Sequence, residues 1–151
     1  MFSHVILGTN DIEKSRLFYD AVLGTLGANP GVVDDKGRLM FVHDDKIFGL
    51  TPPIDGQPAT HGNGSTIGFT CGSPEQVEAW HAAGVANGGT SIEDPPGVRE
   101  SALGPLNLAY LRDPAGNKLV ALGVTKISKI KWSKSARSNA RRILYRSSTI
   151  S

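Results

Sequence analysis

Four histidines, one cysteine and a short Arg–Glu pair are the side chains best suited to chemistry in this 151-residue chain. A neutral imidazole can ligate a divalent metal or relay a proton near neutral pH. His4 opens the apolar run Val5-Ile6-Leu7 at the start of an expected strand. There it is either a ligand or a histidine bonded to backbone or water. His43 stands in an acidic turn with Asp44 and Asp45, where a solvated role is expected, and His61 lies in a Gly- and Thr-rich connector. His81 follows Trp80 at helical spacing and reads as a helix-surface or boundary residue. Cys71 ends an apolar run, so its thiol is expected to be a small core hydrophobe rather than a reactive nucleophile. Arg99 and Glu100 close the segment Pro95-Pro96-Gly97-Val98-Arg99-Glu100. Arg99 can grip a carboxylate through two parallel hydrogen bonds, or form a loop ion pair of little energetic worth. Tyr110 faces away from Ala109 and Leu111 on an expected strand, so its phenol either enters a cavity or packs in the core with an edge hydrogen bond. No phosphate loop, nucleophile elbow, zinc-finger spacing or dinucleotide fingerprint is present.

The elements that must position these groups repeat. Phe2–Gly8 reads as a strand. Asn10 and Asp11 then supply N-cap oxygens, and Ile12, Leu17, Phe18, Val22 and Leu23 mark one face of a helix ended at Gly24 or Gly27. Val32-Val33, Arg38–Val42 and Ile47–Leu50 read as three further strands. Residues 51–64, rich in Pro, Gly and Thr, form the connector. The order then recurs: a strand over Thr66–Cys71, then a helix capped by Ser73 with Pro74 at its first position, bearing Val77, Trp80, His81 and Val85. Gly88-Gly89 ends that helix, and Glu93–Gly97 is expected to be a loop. A final hairpin turns at Asp113-Pro114-Ala115-Gly116-Asn117 between Leu108–Arg112 and Lys118–Leu122. Two βαβββ modules, about 1–51 and 64–123, thus make one domain over residues 1–125.

Two segments carry a family resemblance. The closing hairpin, Tyr110-Leu111-Arg112-Asp113-Pro114-Ala115-Gly116-Asn117, resembles the aromatic-x-x-Asp-Pro-x-Gly-Asn hairpin of the vicinal oxygen chelate superfamily, which includes glyoxalases, bleomycin-resistance proteins and extradiol dioxygenases. The opening, from His4 through Asp11, Ser15, Phe18-Tyr19 and Leu23-Gly24, resembles the start of the same domains. The resemblance spans roughly residues 2–122. It implies an α+β fold in which two βαβββ modules form a concave, curled mixed sheet with helices outside. It also implies a divalent metal in the cup, bound by His, Glu or Gln, and lyase or dioxygenase chemistry. The four ligand positions it implies fall on His4, on the Phe48–Leu50 stretch, on Thr66 and on Val120. Only His4 is a donor of the expected kind, whereas catalytic sites usually keep three protein ligands. The resemblance therefore implies either an enzyme with a degenerate metal site or a metal-free protein that captures a small organic molecule in the same cup. It places Arg99, Glu100, Thr66 and Tyr110 at that pocket and favours a homodimer.

Composition narrows the partners. Residues 1–125 hold eight Lys and Arg against all fourteen Asp and Glu, so the domain is acidic and has no broad basic face for nucleic acid. The other eight cations lie in residues 126–151, interspersed with Ile127, Trp132 and Leu144. That tail reads as an extension foreign to the domain, a segment docking on a dimer partner, or a basic arm for nucleic acid. No apolar run approaches the roughly 20 residues of a membrane helix, and the N-terminus lacks the marks of a signal peptide. A single cysteine fits a reducing cytoplasm.

Overall fold

The structure is a computed structural model and describes residues 2–101 and 104–123. The first module comprises β1 (His4–Gly8), α1 (Ile12–Gly24), β2 (Val32–Val33), β3 (Leu39–His43) and β4 (Lys46–Thr51). The second comprises β5 (Ile67–Cys71), α2 (Pro74–Ala86), β6 (Thr90–Arg99), β7 (Leu106–Arg112) and β8 (Lys118–Gly123). Each module builds one four-stranded mixed sheet, in the orders β1-β4-β3-β2 and β5-β8-β7-β6. The first strand of each pairs parallel with the last, and the other pairings are antiparallel. The architecture is α+β with unclosed sheets, as the repeat implied.

The helices begin where the caps place them. The Asp11 side chain accepts from the Lys14 amide at 2.9 Å, and Ser73 accepts from the Gln76 amide at 3.2 Å. Gln76 also donates to the Thr25 carbonyl at 2.8 Å, tying the start of α2 to the end of α1. The helices meet at Gly84, where a Cβ would lie 2.2 Å from Leu111 and 3.2 Å from Val22. One core joins both modules: Phe18, Tyr19 and Val22 of α1, Leu39, Phe41 and Leu50 of the first sheet, Val77 and Trp80 of α2, and Leu111 and Leu119 of the second.

Two readings need correction. Glu93–Gly97 is not a loop but the middle of β6, which runs from Thr90 to Arg99 with a register shift between Ile92 and Gly97. β6 is an edge strand and residues 93–96 lie in its bulge, so Pro95 and Pro96 are not required to supply a ladder N–H donor, and the bulge absorbs the extra residues with Glu93 at φ 60°. Leu17, read as part of the apolar helix face, is 58% exposed, and Ser15 takes a buried place there, its hydroxyl bonded to Thr9 at 2.7 Å. The basic segment 126–151 lies outside the described residues. No helix among those described is long and apolar enough to cross a membrane.

Candidate functional site

Strand alternation gives the first sheet two chemically distinct faces. Val5, Leu7, Leu39, Phe41, Phe48 and Leu50 share one, facing the core, and the cross-strand pair His43–Lys46 ends the same rows. His4 and Ile6 lie on the other face, opposite Ile47 and Gly49. A groove of about 680 Å³ opens at the end of the core-facing rows. Its floor is Phe41 and Phe48, α1 contributes Leu23 and the turn after it Leu26, and both faces of the β5 edge contribute Ile67 to Thr70. His4, His43, Asp44 and Lys46 form its polar end.

The groove walls are held by aromatic packing. The Phe48 ring lies 4.9 Å from Tyr19 and 5.4 Å from Phe69, the latter edge-on, and Phe69 lies 6.1 Å from Trp80. Such offset pairs add to the burial itself. The polar end is set by the β3–β4 hairpin, whose loop residues Asp44 and Asp45 have φ of 46° and 59°. Positive φ at both loop positions is the twist a two-residue hairpin prefers. His43 Nε2 lies 3.7 Å from an Asp44 carboxylate oxygen. The Lys46 ammonium donates to the Asp44 carbonyl at 3.4 Å.

A second buried cluster joins the modules beside β1. Asp113 is 4% exposed. One of its carboxylate oxygens accepts from the amides of Ala115 and Asn117, at 2.9 and 2.8 Å. The other accepts from the Tyr19 hydroxyl at 2.7 Å and from the Asn117 side chain at 2.9 Å. Asn117 also donates to the Gly8 carbonyl at the end of β1. Burial, with the neighbouring Asp113 charge, pushes the Tyr19 phenol well above its ordinary range. The cluster is therefore a neutral phenol donating to a carboxylate, which holds structure and offers no proton near neutral pH.

The residues singled out from sequence are dispersed. His4 is exposed, with Nδ1 2.9 Å from the Ser3 hydroxyl, and it lines the groove together with His43. Thr66 is exposed and precedes β5 by one residue. Val120 pairs with both Gly68 and Tyr110 on the face of the second sheet turned from the core. There the Lys118 ammonium sits 4.8 Å from the Tyr110 ring centroid and pairs with Glu93. The Arg99 guanidinium donates to the carbonyls of Asp94, Pro95 and Gly97, so it braces the β6 bulge. Glu100 is exposed just beyond that strand. His61 packs on the hairpin turn, its Nδ1 2.6 Å from where a Gly116 Cβ would stand. His81 meets Ser91 at 2.9 Å, and burial holds its pKa below the ordinary value. Cys71 is buried, and burial pushes its thiol up to about 11.

The four ligand positions thus offer one imidazole. Among the described residues no group of three or more His, Cys, Asp or Glu is placed to hold a metal ion. The donor set does not fit a divalent metal with three protein ligands. Sequence reasoning missed the groove, and its one available signal was the His43–Lys46 turn at the end of two aromatic-bearing strands.

A sequence model of the Glyoxalase/Bleomycin resistance protein/Dioxygenase superfamily matches residues 1–121. The chain is 60% identical to a glyoxalase/bleomycin resistance protein from Albidiferax ferrireducens T118, covering 82% of this chain and 99% of that one, with a TM-score of 0.79. A glyoxalase/bleomycin resistance protein/dioxygenase family enzyme from Burkholderia phytofirmans PsJN shares the fold at 21% identity, covering 81% of this chain and 97% of that one, with a TM-score of 0.64. A lactoylglutathione lyase from Agrobacterium tumefaciens shares it at 17% identity, covering 83% and 94%, with a TM-score of 0.58. No curated protein matches.

Proposed function

The chain belongs to the Glyoxalase/Bleomycin resistance protein/Dioxygenase superfamily, and from that premise we propose that it is a small-molecule binding protein that works without a metal ion. The observation that carries this reading is the groove beside His4. Its volume of about 680 Å³ lies in the range of ligand pockets, which are mostly apolar with a few convergent polar groups. The replacement of donors by Thr66 and Val120 supports the metal-free reading over the lyase or dioxygenase one. The test is a thermal-shift screen of varied organic molecules in the presence of a chelator, with calorimetric titration of Zn²⁺, Ni²⁺, Mn²⁺ and Fe²⁺ beside it. Stabilisation by organic ligands, with metal affinity no tighter than roughly millimolar, is the expected result. Micromolar metal binding that disappears in His4→Ala would overturn it in favour of the enzyme.

We further propose a homodimer. Val42, Ile47 and Ile6 are 65%, 38% and 36% exposed, and all three lie on the face of the first sheet turned away from its core. A contiguous apolar face of this kind commonly marks an interface. Light scattering on the eluting protein should give twice the 16.0 kDa chain mass. The one cysteine supports a reducing compartment, the cytoplasm, as its location.

A further inference from the structure

Resting on that reading of the groove, we propose that its ligand is an amphipathic anion: a ring or compact hydrocarbon body carrying one carboxylate, with the body against Phe41, Phe48 and Phe69 and the carboxylate at Lys46. The two ends of the groove differ in kind. The inner end is aromatic and aliphatic, from Phe41, Phe48, Phe69 and Leu23, with no charged group among the lining residues there. The outer end carries the groove's charged groups, Asp44 and Lys46, together with the imidazoles of His4 and His43.

Placement decides which charge a ligand meets. His43 and Lys46 are cross-strand partners on the face that carries Phe41 and Phe48, so their rows lead directly onto the aromatic floor. Asp44 sits in the loop beyond that pair, its side chain 90% exposed and its carboxylate nearest to His43. Lys46 forms no salt bridge among the described residues, and its ammonium has only the long bond to the Asp44 carbonyl. A carboxylate arriving from the groove therefore meets an ammonium with spare donors, with His4 and His43 able to add imidazole donors. A cationic ligand would have to reach past Lys46 to Asp44.

The size of the effect follows from exposure. Lys46 lies at the surface, where an ion pair is worth up to about 1 kcal/mol, which is roughly a fivefold change in affinity. The apolar body supplies the rest, so charge here sets preference more than strength.

Fluorescence titration of the full chain with 2-naphthoate, 2-naphthylmethanol and 2-naphthylmethylammonium, with a chelator present, tests this. Naphthoate is expected to bind about three- to fivefold more tightly than the alcohol, and the ammonium compound most weakly. Lys46→Gln should bring naphthoate down to the alcohol while leaving the alcohol unchanged, and Phe69→Ala should weaken all three. Equal affinities for naphthoate and alcohol, or a naphthoate preference that survives Lys46→Gln, overturn the anion assignment and leave metal-free binding standing. Tightest binding of the ammonium compound overturns it in favour of Asp44 as the anchor. Failure of all three probes to bind counts against the groove as a site, and so against the function proposed above.

Discussion

Replacing Tyr19 by Phe removes one oxygen from a fully buried position and leaves every other atom of the ring in place. The lost group is the hydroxyl that donates to Asp113 at 2.7 Å across the junction between the modules. Asp113 keeps three donors, the Ala115 and Asn117 amides and the Asn117 side chain, but loses the one from the first module's helix. A hydrogen bond to a charged acceptor contributes about 1.5–3 kcal/mol net. For a domain of this size each kcal/mol moves the midpoint by roughly 4 °C, so the variant should melt about 6–12 °C lower. A second signature comes from pH. The folded-state pKa of Tyr19 lies well above its unfolded value. The folded chain therefore retains a proton that the unfolded chain releases above about pH 10, and stability must fall as pH rises through that point. The difference in unfolding free energy between wild type and Tyr19→Phe should accordingly be constant from pH 7 to 9. Above pH 10 it should shrink, by up to about 1.4 kcal/mol per pH unit. Urea titrations at pH 7, 9, 10.5 and 11.5 measure both signatures. Equal midpoints at pH 7, or parallel alkaline limbs for the two proteins, would refute a buried phenol–carboxylate bond between the modules.

Two further outcomes follow from packing. Gly84→Ala places a Cβ 2.2 Å from the Leu111 side chain where the helices cross; overpacking of this kind costs about 1–3 kcal/mol, read as a lower urea midpoint, and a midpoint at or above wild type would contradict the crossing geometry. Cys71 should react with a disulfide reagent at pH 8 far more slowly in the native protein than in urea, because it is buried and its thiol is pushed up to about 11; equal rates would place the thiol at the surface.

Much of the fold was legible because its signals are local. Caps at Asp11 and Ser73 fix the helix starts whatever the tertiary context. Strand alternation and the turn formers between Arg112 and Lys118 place the hairpin's turn to the residue, while β7 begins at Leu106, two residues before the expected Leu108, and β8 runs one residue further, to Gly123. The β6 error has a physical source. Pro95 and Pro96 are breakers where a ladder donor is needed, and an edge strand with a bulge needs none there, a fact fixed by strand order and not by the segment itself. The groove was illegible for a related reason. Phe41, Phe48 and Phe69 have the alternation of core residues, and they do pack with the core. Whether a row of such side chains ends in solid packing or in an opening depends on where α1 stops and how β5 is presented to it. Those are relations between elements roughly 40 residues apart in sequence, and no local pattern carries them.

The hairpin at Asp113–Asn117 shows why a family's most recognisable motif and its chemistry can separate. The Asp113 carboxylate and the Asn117 side-chain amide group are spent on assembly. Asp113 closes the turn through two backbone amides and reaches α1 through Tyr19, and Asn117 reaches the end of β1 through the Gly8 carbonyl. Any substitution at Asp113 or Asn117 disturbs the junction of the two modules, whether or not a metal ever binds. Val120 lies three residues further on, facing Tyr110 and Gly68, and none of the turn's bonds passes through it. A side chain can change there without touching the bonds that join the modules. The turn therefore reports that the modules are correctly joined and that β1, with His4 at its far end, is anchored beside the groove. Chemistry has to be argued from the side chains at the site: in the groove those are aromatic rings with His4, His43, Asp44 and Lys46 at one end, and among the described residues no three candidate ligands are placed to hold a metal ion.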